Sequence, residues 1–388
     1  MYDAQNSKYS FWEEYASFRK DHLESDSKLD FKQLSTFEAS FVKAFESEQK
    51  ATNKLPQDWF EQGFICKSML NAEQCSSWNT ALFKFKELEG DLAVDLSGGL
   101  GVDALALSRK YLRVIYIERD PELAYLARQN FAVLGIDNIE VVTEDSESWM
   151  KTFNEKADLF YIDPDRRPEG NKKNFFLNDC EPSPLKNREV WKQKSNEILI
   201  KASPMLDTKD LIQQFAQNLY ELNLVAYKNE CKEWLIRLNN KQQIANIKAS
   251  FLGTSYPSMQ FGLDDIGTQS GQFTDVKKYI YIPHSSLLKL SPWLKIEAVF
   301  QLGKIAANTQ LFTASEYLPN FPGRCFEVLK KFDKKKLYQK VNIIAKNFPL
   351  KASELVRRFQ TIQNEEQYLI AFRDSLNKKH LLLTKLTN

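Results

Sequence analysis

The stretch Val94-Asp95-Leu96-Ser97-Gly98-Gly99-Leu100-Gly101 constrains this chain more than any other. A short apolar run ends in an acid, a glycine-rich turn follows, and a helical pattern over 102–109 begins at once. Glycine lets the backbone turn tightly and lets a ligand approach with no side chain between. In open α/β sheets, ligands bind outside the carboxyl ends of strands, and this turn sits at such an end. Further short apolar runs at 114–118, 139–142, 159–163 and 198–201 alternate with helical stretches. That alternation predicts a mostly parallel sheet covered by helices. Runs at 222–227 and 234–238 are expected to add an antiparallel hairpin at the sheet's edge.

The glycine spacing narrows the ligand. A nicotinamide fingerprint reads G-x-G-x-x-G and places a pyrophosphate on the helix N-terminus. Here the spacing is G-G-x-G, with an acid three residues before the first glycine. This layout suits a cationic, phosphate-free ligand with an amino-acid end, as in S-adenosylmethionine. Asp95 is expected to set its amino group, with Ser97, Gly98, Gly99, Gly101 and Asp103 forming the turn and helix start around it. Glu118 ends the second strand, 23 residues after Asp95, where an acid accepts from ribose hydroxyls. Asp145, at the third strand's end, is placed to accept from the adenine amine. The glycines alone would also fit a plain strand-to-helix turn. Three acids at three successive strand ends are what make the pattern specific.

The fourth strand runs into Asp163-Pro164-Asp165-Arg166-Arg167-Pro168. This resembles the Asn/Asp-Pro-Pro-aromatic tetrad of amino-directed nucleic-acid methyltransferases. The resemblance implies that Asp163 and the Pro164 carbonyl hold the two N–H bonds of a target amine. The stacking aromatic is absent, and Arg166 stands near its place. Arg166 and Arg167 are candidates to clamp phosphate, and Arg166 to stack on a base. Alternatively they pair with Asp179 or Glu181 and fix the loop.

Motifs along most of the chain resemble a bacterial family of class I methyltransferases with a THUMP-like C-terminal domain. They are Gln74-Cys75-Ser76-Ser77 with Thr80, Ala81 and Lys84, then 95–103, 163–167, 201–207 and 229–233. Asn320-Phe321-Pro322-Gly323-Arg324 and Asn347-Phe348-Pro349 complete the set. Two departures stand out: Asp165, where the family has a small residue, and Lys346, where it often has arginine. The resemblance implies a Rossmann-like, seven-stranded α/β sheet, a ferredoxin-like segment and a THUMP-like module. Because THUMP domains bind RNA, it also implies RNA, tRNA or rRNA, as the partner.

The expected domains are an N-terminal helical region at 1–89, the cofactor domain at 90–250, the ferredoxin-like segment at 279–325 and the THUMP-like module at 326–388. Residues 252–278 are expected as a loop or linker. In the first region Trp12, Tyr15 and Phe18, and Phe37, Phe41, Ala44 and Phe45, fall at helical spacing. Ser76 or Ser77 is a candidate cap for its last helix. Hydrophobic residues make up 43% and charged residues 27%, and no apolar run suits a membrane span. Five separated cysteines and three histidines argue against a disulfide framework or a zinc site and fit a reducing cytoplasm. The N-terminal residues lack a signal peptide's basic start and apolar stretch.

Charge is uneven. Residues 1–90 hold 11 Lys/Arg against 15 Asp/Glu, whereas 326–388 hold 14 against 6. The basic end fits a polyanion partner or a solvated lysine-rich surface. Lys330, Lys331, Lys334, Lys335, Lys336 and Lys340 are expected on or near a helix, followed by Lys346, Arg357 and Arg358. Phe332, Tyr338, Phe348 and Phe359 are interleaved, as core or as stacking platforms. Lys335, Lys346, Arg357 and Arg358 are the candidate RNA contacts, with Lys84, Lys201 and Asp207 as further substrate candidates. Lys84 fits a capped helix packed on the sheet equally well, and Asp207 fits a loop cap. The leading expectation is an S-adenosylmethionine-dependent RNA methyltransferase. The alternatives are a small-molecule methyltransferase and an inactive binding module.

Overall fold

The computed structural model describes residues 3–20, 36–166, 177, 180–239, 245–335, 339–363 and 366–387. Two compact units divide the chain, one of residues 1–202 with 235–242, the other of residues 203–234 with 243–388.

In the first unit, β1 (Gly90–Asp95), β2 (Tyr111–Glu118), β3 (Ile139–Thr143), β4 (Ala157–Ile162) and β7 (Ser195–Ala202) form a parallel sheet in the order β7-β4-β1-β2-β3. A two-stranded ribbon, β5 (Asp165–Arg166) and β6 (Cys180–Glu181), follows β4. The sequence dictates this layering. Phe160, Tyr161 and Ile162 are all buried, as a central parallel strand covered on both faces requires. The helix Pro121–Val133 starts at an Asp120 cap with proline in its first turn. The expected N-terminal helices are present at Asp3–Phe18, Thr36–Ala51, Gln57–Glu61, Met69–Gln74 and Trp78–Lys84. Trp12, Tyr15, Phe41 and Ala44 cluster with Ile65 and Leu126, so this region packs on the helix that covers β2. Ser77, not Ser76, caps the last of these helices, accepting from the Thr80 backbone N–H.

β9 (Glu230–Asn239) has residues in both units. Its later half lies beside β7 in the first unit, where Arg237 pairs with Glu197 at 2.8 Å. In the second unit β8 (Leu219–Tyr227) precedes it. β8 is not an edge strand, as the hairpin reading expected: β10 (Asn246–Leu252) pairs with it in parallel, and β11 (Met259–Phe261) pairs with β10 antiparallel. β10 and β11 are two strands beyond the seven expected, and β11 occupies part of the presumed 252–278 linker. Their signal was faint because Gly, Ser and Asp surround β11.

The remaining strands are β12 (Tyr279–Pro283), β13 (Gly303–Ala306), β14 (Thr309–Ala314), β15 (Gly323–Lys331), β16 (Asn342–Lys346), β17 (Gln367–Arg373) and β18 (Lys379–Leu386). They form one sheet in the order β13-β14-β12-β15-β18-β17-β16. The boundary expected at 325/326 therefore falls inside β15, and one sheet holds both expected segments. Lys330 and Lys331 end that strand rather than sitting on a helix, and Lys334 and Lys335 follow in a turn. Lys336 and Tyr338 lie outside the described residues. Phe332 and Phe359 are core, packed with Val341, Leu355 and Leu369, and partly buried Phe348 packs against them. Among the described residues no helix is long and apolar enough to cross a membrane.

Candidate cofactor and target site

β1 delivers Asp95 to the sheet's carboxyl edge at 1% exposure. Its Oδ1 accepts from the Ser97 backbone N–H at 3.0 Å and from Ser97 Oγ at 2.9 Å. Its Oδ2 is buried without a partner among the described residues. Burial and the nearby charge of Asp103 push the carboxyl up to about 7. A buried, half-satisfied carboxylate is costly unless something cationic completes it.

The turn after Asp95 requires glycine at two places. Gly98 has φ +46°, and a Cβ there would stand 2.6 Å from both Glu118 Oε2 and the Ile117 carbonyl. Gly101 has φ +81°, and a Cβ would meet the Phe131 ring at 2.8 Å. Glu118, buried at the tip of β2, locks the turn: Oε2 accepts from the Gly99 N–H and Oε1 from the Asp120 N–H, both at 2.7 Å. Burial lifts its carboxyl above the usual range. Fully buried Tyr116 donates its hydroxyl to the Gly99 carbonyl, a support that sequence reading missed because an aromatic in a strand reads simply as core.

A cleft opens beside this turn. Leu96, Ser97, Ile117, Glu118, Asp145 and Asp163 line it, together with Arg119, Glu144, Asp165 and Glu181. Asp145 caps the helix Ser146–Thr152 through Oδ1, which accepts from the Glu147 and Ser148 N–H groups at 3.0 and 3.1 Å. Its Oδ2 has no partner among the described residues. Arg119, which was not anticipated, pairs at 3.1 Å with Glu181, an acid expected only as a partner for Arg166 or Arg167. They come from different strand ends, and no local motif marks them.

The tip of β4 meets the tip of β1 directly. Ser97 Oγ accepts from the Asp163 backbone N–H at 2.8 Å while donating to Asp95. One hydroxyl thus ties the cofactor turn to the proposed target loop. Lys201, at the end of β7, pairs with Asp163 Oδ2. Asp163 Oδ1 has no partner among the described residues. Pro164 follows in the same loop, and β5 begins at Asp165. The Arg166 side chain and all of Arg167 lie outside the described residues.

Lys84 and Asp103 are placed away from the cleft lining. Lys84 Nζ, fully buried, donates to Asp103 Oδ1 and Oδ2 at 2.8 and 3.0 Å, to Ser76 Oγ at 2.6 Å and to Tyr161 Oη at 3.1 Å. Ser76 Oγ and Tyr161 Oη also donate to Asp103 Oδ2. Burial acts to raise the Asp103 carboxyl, but the charges of Lys84 and Lys201 outweigh it and hold the group below its ordinary value. In the second unit Asp207 caps the helix Thr208–Phe215 through the Lys209 and Asp210 N–H groups, the structural alternative expected for it. Lys335, Arg357 and Arg358 are exposed and Lys346 is half-buried.

A glycine turn beside a buried acid, and a parallel sheet with its first strand central, define a class I, S-adenosylmethionine-type α/β domain. Residues 76–175 match the family described as Conserved hypothetical protein 95, and 279–322 match one described as a ferredoxin-like domain. A crystal structure titled "putative methyltransferase", from Porphyromonas gingivalis W83, aligns over 100% of both chains with TM-score 0.83 and 30% identity. An uncharacterized S-adenosylmethionine-dependent methyltransferase of Mycobacterium tuberculosis (strain ATCC 25618 / H37Rv) is 24% identical over 42% of this chain and 42% of its own. An uncharacterized protein of Methanocaldococcus jannaschii is 37% identical over 18% of this chain and 27% of its own. The chain thus spans less than half the length of these two curated relatives. It belongs to the family of the Porphyromonas gingivalis protein, and its first unit has the parallel α/β sheet of class I methyltransferases.

Proposed function

We propose that the protein methylates an amine nitrogen of RNA, tRNA or rRNA, in the cleft beside the glycine turn. The observation that carries this reading is the Ser97 bridge, which sets the unpartnered Asp95 oxygen and the Asp163 carboxylate on one rigid frame. S-adenosylmethionine fits these residues and, when bound, supplies an electrophilic methyl group on a sulfonium. Asp95 Oδ2 accepts from its α-ammonium. Gly98 and Gly101 keep the turn bare, Glu118 accepts from the ribose hydroxyls and Asp145 Oδ2 from the adenine amine. Asp163 Oδ1 and the Pro164 carbonyl accept the two N–H bonds of the target, which aims its lone pair. Orientation of this kind is worth roughly 7–11 kcal/mol.

RNA is supported by charge. Lys335, Arg357 and Arg358 are exposed on the second unit, and Lys346 adds a further cation. We assign 326–388 the RNA-holding role of a THUMP-like module. A second reading has one observation in its favour. The cleft lining carries Glu118, Glu144, Asp145, Glu147, Asp163, Asp165 and Glu181 against Arg119 as its one described cation. That rim favours a cationic small substrate over a polyanion. Mass spectrometry of nucleosides from cells with and without the protein separates the two. Loss of one methylated nucleoside supports RNA, and an unchanged nucleoside profile with methyl transfer to a small amine supports the second.

The raised Asp95 carboxyl sets a pH dependence. Accepting from an ammonium requires the ionised form, so affinity for S-adenosylhomocysteine is expected to fall about tenfold per unit below pH 7 and to level off above it. The ligand-free fold shows the opposite sign. Folded Asp95 keeps its proton up to about pH 7, whereas an unfolded carboxyl loses it near about 4. Stability therefore falls as pH rises through that window. Asp95→Asn should stabilise the ligand-free protein at pH 8 while weakening ligand binding. Calorimetric titrations that are flat from pH 6 to 8 would contradict this role.

A further inference from the structure

Methyl transfer leaves two of the sequence motifs unused: Asn320-Phe321-Pro322-Gly323-Arg324, and Lys346 followed by Asn347-Phe348-Pro349. The fold of the second unit brings their cations to one sheet face. Arg324 is the second residue of β15 and Lys346 the last of β16. Phe326, two residues after Arg324, and Ile344, two before Lys346, both pack on the cluster of Ile282, Leu311, Ile370 and Phe372. Side chains alternate along a strand, so Arg324 and Lys346 share that face. The Arg324 guanidinium lies over the Phe326 ring, 5.6 Å from its centroid. The sheet curls so that the end of β16 reaches β14, where Asn347 Nδ2 donates to Thr309 Oγ1 at 3.1 Å. β14 and β15 flank β12 on either side, so the contact from the end of β16 to β14 brings Lys346 to within two strands of Arg324.

Among the described residues neither cation has an ion-pair partner. Arg324 Nε is buried without a hydrogen-bond partner among the described residues. Lys346, half-buried, has no hydrogen bond or ion pair among the described residues. Burial, and then the charge of Arg324, depress its ammonium. Two like charges held together out of full solvent are unfavourable unless an anion completes them. A guanidinium fork beside an ammonium point charge matches the oxygens of a phosphate.

We propose that Arg324 and Lys346 form a phosphate-binding site, with the backbone of an RNA strand as the source of the phosphate. The site stands apart from methyl transfer, and only its RNA source rests on the function proposed above. Two measurements on the full chain test it: thermal melting in inorganic phosphate against chloride at matched ionic strength, and anisotropy of a labelled single-stranded RNA across a salt series. The variants are Arg324→Gln, Lys346→Gln, Lys346→Arg and, as a charge control, Lys295→Gln on the exposed side of the helix Trp293–Phe300. Phosphate is expected to raise the melting temperature of the wild type and of Lys346→Arg and Lys295→Gln, but not of the two other variants. Arg324→Gln and Lys346→Gln should each weaken RNA binding about tenfold at low salt and flatten the log–log salt slope by about 0.7. Loss of the phosphate response with unchanged RNA binding would keep the site and overturn its RNA source. An unaltered phosphate response in both variants overturns the site itself. Lys346→Gln removes a repulsion, so in chloride it should melt at or above wild type, and a large drop would mark a purely structural lysine and overturn the proposal as well.

Discussion

Replacing Asp163 with alanine is expected to lower methyl transfer at least about a hundredfold, because a small misplacement of the reacting atom already costs that much. Affinity for S-adenosylhomocysteine should change by less than about threefold, the signature of an interaction made to the target and not to the cofactor. The structure gives the reason for the separation. Asp163 contacts the cofactor turn through its backbone N–H, which donates to Ser97 Oγ, and alanine keeps that bond. Only the carboxylate is removed, and it faces Lys201 through Oδ2. Asp163→Asn sharpens the test. An amide oxygen can still accept from the target amine, while the ion pair with Lys201 is lost. Asparagine should therefore recover much of the rate if orientation is the carboxylate's main task, and little if charge on the loop is. Single-turnover transfer measured beside equilibrium binding gives both numbers. An alanine variant that transfers at the wild-type rate would remove Asp163 from the mechanism, and one that loses cofactor binding in parallel would assign it to the turn instead.

The first unit was legible because its signals are local. The acid, the glycines and the following helix occupy consecutive positions, and parallel-strand burial shows as unbroken apolar runs such as 159–162. Gly98 was expected from ligand access, and the structure adds a second cause, the approach of Glu118. What sequence spacing did not reveal are the contacts made across elements. The Lys84–Asp103–Tyr161 cluster joins residues from two helices and a strand, and each alone reads as a surface charge or a core aromatic. The lysines at 330 and 331, expected on or near a helix, end a strand instead: Lys carries good helix propensity, while the alternation that marks β15 is blurred by its exposed end. Arg324 was seen only as part of a motif, since nothing in a linear sequence shows that strand curling brings it to the face that carries Lys346.

Lys84→Met is expected to destabilise the protein by about 3–5 kcal/mol, the usual result of removing one partner from a buried ion pair. The lysine is fully buried, so no water replaces its charge at Asp103. By comparison, Ser77→Ala at the cap of the same helix should cost only about 1 kcal/mol. Urea unfolding at pH 8 measures both. Adding Asp103→Asn to Lys84→Met should recover much of the loss, because the stranded charge is then gone, and a double-mutant cycle isolates the coupling. The pH response carries a second signature. In the wild type Asp103 is held below its ordinary value, so its contribution is present above the unfolded carboxyl range and lost as pH falls through the folded value. Without Lys84, burial dominates and the dependence reverses, so the variant should gain relative stability as pH falls. The same cluster reaches the cofactor site, since the charge of Asp103 helps raise Asp95. Asp103→Asn should therefore move the midpoint of S-adenosylhomocysteine binding below pH 7, with the binding plateau at high pH retained. If Lys84→Met unfolds at the wild-type urea midpoint, the pair is not holding this edge of the sheet, and the link from the N-terminal helices to Asp95 fails with it.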